Sequence, residues 1–466
     1  MDEKRDEIQF VKVLGRREVI TLALGAIIGW GWVVLSGGIL LDAGSVGSII
    51  AFLAAAIIFT CIGLVYAELA AAMPLTGGEH VYSYKALGKT ASFICTWSLV
   101  LTYISVVALQ AAAIPVAFEY FFPDMQYGLL WTFAGYDVYL SYVIFGILFA
   151  VGITTLNILG LKFSAKFQTI ATAFIIIIGF VFAFGSFFVG GSTDNLTPLF
   201  ANIENPIAGI SKALVVIPFM LVGFDVIPQA AEEINLSPKK VSKIMLYTVF
   251  FAIAWYIMVV FALAMALPQD EIIRAGFSVA DGAMVVFNST AFGKLLIACG
   301  IAGILTSWNA FMIGGSRAIY AMAKDNMIPK SLANLHPRYK SPYNALILMT
   351  VVAVLSALLG RKAMVFFVNA GGFSLLIAYA MVAISFLVLR KNHPKMNRPY
   401  FVKYGGLIGT LAVIFSVGLA FLYLPTMPAA LVGIEWLIVL AWYALGITFY
   451  FFASRNMDPN AKEPEY

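Results

Sequence analysis

ALGAIIGWGWVVLS, residues Ala23 to Ser36, lies in the middle of the first long apolar segment of the chain. A helix there would cross a membrane. Gly25, Gly29 and Gly31 crowd its centre, and glycine is the costliest ordinary residue in a helix interior because it has the most backbone freedom to lose. The stretch predicts a break at Gly29-Trp30-Gly31. Irregular backbone at membrane depth is tolerated where protein or a cavity satisfies its polar groups. The N–H groups that open the second half of such a helix attract an anion. Close packing of a neighbouring helix against small residues is the other reading of these glycines.

Composition widens this into a statement about the whole chain. Of 466 residues, 62% are hydrophobic and 11% charged, against about 25% charged in soluble domains. An integral membrane protein follows, too long for a single anchor. The first seventeen residues, MDEKRDEIQFVKVLGRR, are polar and basic. The apolar run behind them is too long for a signal-peptide core, so the N-terminus is expected to be retained. Cys61, Cys95 and Cys299 lie far apart in apolar segments, and His80, His336 and His393 fall in or beside polar loops. Neither a disulfide framework nor a metal site is expected from that spacing, and the pattern calls for no cofactor. Gly88-Lys89-Thr90 resembles the tail of a P-loop, but Ser83 stands where its first glycine belongs. No G-x-S-x-G or H-E-x-x-H is present, so an enzyme is not expected and any transport runs on gradients or exchange.

A span needs roughly 20 apolar residues. Twelve segments qualify, at 18–41, 46–73, 90–120, 136–158, 166–190, 210–234, 241–267, 286–322, 343–360, 363–389, 405–424 and 428–453. With the N-terminus in the cytoplasm, 24 of the 29 basic residues fall inside, and the other five are Lys212, Arg274, Lys294, Arg361 and Lys362. This asymmetry predicts both termini in the cytoplasm and a multi-pass protein of the cytoplasmic membrane. The net charge of +5 is thereby an insertion signal, and a nucleic-acid partner is not needed to explain it.

The sixth segment carries Pro218, Gly223 and Pro228 and is expected to break near Gly223-Phe224-Asp225. Breaks in the first and sixth spans have the spacing of two inverted repeats, and paired broken helices point to a transporter's substrate site. The expected organisation is a segment 1–17, a first five-helix repeat 18–190, a second inverted repeat 210–389, two extra helices in 405–453 and a tail 454–466.

Ionisable groups inside the membrane are functional candidates. Asp225 stands beside the second break, where it can cap the restarted helix or exchange a proton with water or a bound cation. Glu68 is read as a helix-end carboxylate reaching water or a neighbouring helix. Glu232 and Glu233 are read as partners for basic loop residues or as a solvated helix end, and Arg317 as snorkelling to the inner surface. Asn157, Asn309 and Asn369 are placed to bond across helices. Trp30, Phe219, Phe224, Trp308 and Phe311 sit near mid-membrane on spans 1, 6 and 8, where they could wall a small pocket and offer cation–π contact to an amine.

With these pieces in hand, the chain resembles the amino acid–polyamine–organocation superfamily of secondary transporters. The resemblance is carried by Gly25-Ala-Ile-Ile-Gly29-x-Gly31, by Tyr66-Ala-Glu68 with Pro74, Gly77-Gly78, Tyr82-x-Tyr84 and Gly88, by Gly223-Phe-Asp225 with Ala231-Glu-Glu233, and by Arg317-Ala-Ile-Tyr320-Ala-Met-Ala-Lys324-Asp325 with Pro329. It implies an all-α, leucine-transporter-type fold of five plus five helices and two extras. It also implies a substrate carboxylate at the N–H groups of Gly29, Trp30 and Gly31, an ammonium at carbonyls near Ile27 and Val222, an aromatic gate at Phe219, and an acidic position at Asp225. Three departures stand out. Trp30 occupies a position usually small, Glu79-His80 follow the paired glycines, and Ile175 stands where some proton-coupled members carry a lysine. Thr306 and Ser307 are candidate sodium ligands, or hydroxyls that bond back to their own helix.

The sequence therefore predicts a secondary active transporter for an amino acid or related small amine, working by alternating access, with the proton favoured over sodium as coupling ion and Asp225 as its carrier. The alternatives are an amino acid/amine antiporter and a polyamine or organocation carrier.

Overall fold

The computed structural model describes residues 9–133, 135–427 and 429–455. Residues 1–8 of the expected N-terminal segment, and the tail from 456 onward, lie outside the described residues. Among the described residues, ten helices are long and apolar enough to cross a membrane. They are the broken first span Arg16–Val34, then Ser45–Ala72, Lys89–Glu119, Leu140–Ile158, Leu161–Phe188, the broken sixth span Pro206–Gln229, Pro238–Ala266, Thr290–Lys324, Val365–Asn392 and Gly433–Phe452. Two shorter apolar helices, Tyr343–Ala357 and Gly405–Phe421, fill the ninth and eleventh positions. The chain is an all-α membrane protein.

Boundaries depart from the sequence reading where polar backbone finds a local partner. The fourth span begins at Leu140, not 136, because Tyr136–Tyr139 pairs antiparallel with Leu129–Phe133 as a hairpin. Short helices Gln269–Arg274 and Ser278–Val286 precede the eighth span, which starts at Thr290.

The third span is almost wholly buried, including Trp97, Leu101, Tyr103 and Gln110, and packs on the eighth, ninth and tenth. A helix apolar on every side belongs at the centre of a bundle. The twelfth span is peripheral, with Leu437, Leu440 and Ile447 exposed, as lipid-facing side chains are.

Polar residues within the spans pair with one another. Asn157 Nδ2 donates to Asn309 Oδ1 at 2.9 Å, and Asn309 Nδ2 to Gln168 Oε1 at 2.9 Å. Asn369 Nδ2 donates to Glu435 Oε1 at 2.7 Å. The three cysteines are free and buried.

One face of the bundle, that of the first span's N-terminal end, is closed by ion pairs. Arg317 donates from Nε and Nη2 to the two Glu233 oxygens at 2.8 and 3.0 Å. It is 1% exposed, which corrects the snorkelling expectation: an available carboxylate inside the bundle holds the guanidinium bidentately. Glu68 does not reach water either. It meets Arg390, Arg398 (Nε to Oε1, 3.1 Å) and the Val402 N–H (2.7 Å). Val13 and Leu14 donate to the Glu233 carbonyl at 2.9 Å, tying the N-terminal segment across the same face.

Candidate functional site

Both breaks are present and they touch. The first helix runs Arg16–Ile28 and stops at Gly29, whose φ of +45° and ψ of −137° suit only glycine. Helix resumes at Gly31. The first backbone bond after the break joins Val33 N–H to the Trp30 carbonyl at 3.0 Å. In the sixth span the helix Pro206–Leu221 gives way to extended Val222 and to Gly223 at φ +134° before Val226–Gln229. A Cβ on Gly223 would lie 2.7 Å from Ala26 Cβ and 2.9 Å from Ile27 N. A Cβ on Gly303 of the eighth span would strike the Gly29 carbonyl. The missing side chains let three backbones meet.

A cavity of about 180 Å³ opens at this junction. Its floor is the backbone from Ala26 to Gly31, together with Val222. Val106, Leu109, Phe219, Met220, Phe311, Val365 and Val368 give it an apolar wall. Gln110, Ser307 and Tyr256 supply the side-chain polarity, and among the described residues none that lines it is charged. Gln110 Nε2 donates to Ser307 Oγ at 2.5 Å. Tyr256 Oη donates to the carbonyls of Ile27 (2.8 Å) and Ile28 (3.1 Å), which fixes the frayed end of the first half-helix.

Of the residues singled out from the sequence, Ile27, Gly29, Trp30, Gly31, Phe219, Val222, Ser307 and Phe311 line this cavity. The Trp30 ring packs edge-on against Phe277, with centroids 5.6 Å apart, and lies over Gly300. Phe224, Asp225, Trp308 and Thr306 lie outside the lining. Phe224 packs against Tyr66 and Tyr379, at 5.3 and 5.9 Å. Thr306 Oγ1 and Ser307 Oγ each donate to the Gly303 carbonyl at 3.1 Å. Ile175 is buried in the fifth span, where its carbonyl faces Cys299.

Asp225 sits one layer below the cavity, fully buried. Its Oδ1 accepts from Gly223 N–H and its Oδ2 from Tyr103 Oη, both at 2.7 Å. It does not cap the restarted helix through its side chain; it holds the broken turn from behind. Sequence reading missed Gln110, Tyr256, Met220, Val106, Leu109, Val365 and Val368. An uncharged amide within the third apolar span was the available signal for Gln110. The apolar wall residues carry no mark that separates them from ordinary core.

A membrane bundle with two broken helices meeting over a small, largely apolar cavity is the architecture of a carrier for a small solute. Comparison with known proteins makes this particular. A family model described as amino acid permease matches residues 14–453. The chain belongs to the amino acid permease family, within the amino acid–polyamine–organocation superfamily, and its members are transporters, not enzymes. It is 26% identical over 457 residues to the branched-chain amino acid permease of Bacillus subtilis, covering 95% of this chain and 93% of that one. The methylthioribose transporter of the same organism is 25% identical, with 96% and 94% covered. Its serine/threonine exchanger is 25% identical, with 87% and 89% covered.

Proposed function

We propose that this chain is a secondary active transporter for a neutral amino acid with an apolar side chain, working by alternating access and coupled to protons through Asp225. The observation that carries this reading is the cavity at the junction of the two helix breaks, whose lining among the described residues is uncharged. An amino acid there places its carboxylate at the N–H groups of Gly29 to Gly31 and its ammonium toward the carbonyls of Ile27 and Val222. Its side chain then lies against Val106, Phe219, Phe311 and Val368. With no ionic partner in the lining, a cationic or acidic side chain would be desolvated without compensation, at a cost of several kcal/mol. The branched-chain amino acid permease among its relatives agrees with that preference.

Spans within 18–190 and 210–389 act as the two inverted repeats, with 405–453 outside them. The basic residues put both termini in the cytoplasm and the protein in the cytoplasmic membrane. Asp225 responds to the substrate indirectly, because the Gly223 backbone it holds forms the second break. Sodium, held by the Thr306 and Ser307 oxygens, is the alternative to the proton.

Uptake into proteoliposomes under an imposed pH gradient tests the reading. Leucine, isoleucine or valine should saturate the carrier, while lysine, glutamate and the decarboxylated amines compete poorly. Equal competition by an amine and its parent acid overturns the carboxylate site. Uptake driven only by internal counter-substrate, with no response to the gradient, indicates exchange.

A further inference from the structure

Glu79 departs from the superfamily pattern, and the transport reading above gives it no role. It opens the short helix Glu79–Leu87, which packs against the third and tenth spans, and it is fully buried. Its Oε2 accepts a hydrogen bond from Gln229 Nε2. Gln229 follows Asp225 by four residues in the sixth span, so the two side chains lie about one helical turn apart on one face. The Tyr66 hydroxyl stands beside Glu79, and that of Tyr379 beside Asp225. Neither completes a hydrogen bond, and the buried Oε1 atoms of Glu79 and Gln229 have no donor. The Tyr66 and Tyr379 rings are 5.6 Å apart. Gln229, bonded to Glu79, and the two tyrosines thus lie near both buried carboxylates, and the Oε1 atoms of Glu79 and Gln229 remain unfilled acceptors.

Among the described residues no cation pairs with this group. Tyr66 faces Glu79 from the second span, Tyr82 from its own helix, Cys95 and Tyr103 from the third span, Asp225 from the sixth and Tyr379 from the tenth. The nearby charges at the same face are engaged elsewhere, His80 with Asp325 and Arg317 with Glu233. Among the described residues neither Glu79 nor Asp225 forms an ion pair. Two adjacent carboxylates without a cation, out of water, do not both ionise. Burial, and after it the charge of Asp225, push the Glu79 carboxyl well above the ordinary range.

We propose that Glu79 is a second proton-holding residue, which shares a proton with Asp225 while the ion-paired face is closed and releases it when that face opens. The proposal rests on the reading of Asp225 as the coupling residue. In the transfer, the Asp225 carboxyl gives its proton to the Tyr379 hydroxyl, Tyr379 passes its own to Tyr66, and Tyr66 its own to the Glu79 carboxylate, so that the proton moves to Glu79 and the negative charge to Asp225. When the face opens, the Glu79 carboxyl gives that proton to entering water, which hydrates the carboxylate left behind. The missing donors are what a protonated carboxyl supplies, since its O–H can bond Gln229 Oε1.

The test compares wild type, Glu79→Gln, Glu79→Asp, Asp225→Asn and the Glu79→Gln/Asp225→Asn double variant. It reads the melting temperature of the purified chain, and uptake into proteoliposomes, from about pH 5 to about pH 9. A carboxyl whose native pKa is raised keeps its proton where the unfolded chain has lost it. Wild-type stability should therefore fall as pH rises from the ordinary carboxylate range through the raised value. Glu79→Gln should flatten that slope and cut gradient-driven accumulation about tenfold while counterflow persists, and Glu79→Asp should restore the slope. Flattening by Asp225→Asn with a wild-type profile in Glu79→Gln overturns the proposal and leaves Asp225 as sole carrier. A changed profile in Glu79→Gln with none in Asp225→Asn overturns the sharing and the Asp225 reading together. If Glu79→Gln does not fold, the infrared spectrum of the wild type reads the same proton. A protonated-carboxyl band that vanishes on raising the pH supports the proposal, and its absence at neutral pH overturns it.

Discussion

The Tyr103 hydroxyl of the third span donates to Asp225 Oδ2 of the sixth at 2.7 Å, while Asp225 Oδ1 accepts the N–H of Gly223 at 2.7 Å. One carboxylate thus fastens the second helix break to the central helix of the bundle. Tyr103→Phe leaves a buried carboxylate oxygen short of a donor, which costs about 1–3 kcal/mol. Its melting temperature should drop. In a double-mutant cycle with Asp225→Asn, the two losses should be less than additive. Strict additivity, measured by thermal unfolding of the purified chains, would mean that the bond contributes nothing.

The contact of Gly303 with the Gly29 carbonyl makes the eighth span a support for the first break. Gly303→Ala inserts a methyl group against backbone, and overpacking of this kind costs about 1–3 kcal/mol. Substrate affinity should fall at least about fivefold, given that each 1.4 kcal/mol is a factor of ten. Gly38→Ala, where a Cβ meets nothing within 4 Å, serves as the control and should transport normally. Binding isotherms for the two variants check this.

Proline at Gly31 removes an N–H from the restarted helix. Gly31→Pro should abolish binding of the amino acid, because the donor at the opening of the restarted helix is gone. Retained affinity, read by ligand-induced thermal shift, would move the carboxylate elsewhere.

Gln110 reaches Ser307 across the cavity. Gln110→Ala removes the amide and leaves the Ser307 hydroxyl to its own helix. KM should rise about three- to tenfold, the worth of about one hydrogen bond, with little change in melting temperature. Uptake kinetics decide whether the residue serves the substrate or only the helix contact.

Arg317 and Glu233 are buried together. Arg317→Met strands the carboxylate and should destabilise by about 3–5 kcal/mol, whereas Arg317→Met with Glu233→Met should recover much of the loss. The orientation of this face is open to labelling, since all three native cysteines are buried. A cysteine at exposed Gln126 should react with an impermeant reagent on intact cells, and one at exposed Lys395 should not. The reverse pattern would invert the topology.

The sequence by itself determined the class of fold, the order of its apolar helices and the place of both breaks. Each of these is a local property: about twenty apolar residues make a span, and glycine and proline at the centre of one interrupt it. It also marked Asp225 and Gly223, because a charge or a glycine in an apolar run is conspicuous wherever it ends up. Only the tertiary structure decided which residues share the cavity. Val106, Leu109, Met220 and Val368 line it, while Trp308 and Phe224, no less apolar, do not. Which face of an apolar helix meets a neighbour depends on how the spans cross, and in a bundle that is apolar all round the sequence carries no moment to fix this. The same holds for the charges. Glu79 and Gln229 are 150 positions apart, and their bond, like that of Arg317 with Glu233, exists only once the helices have packed.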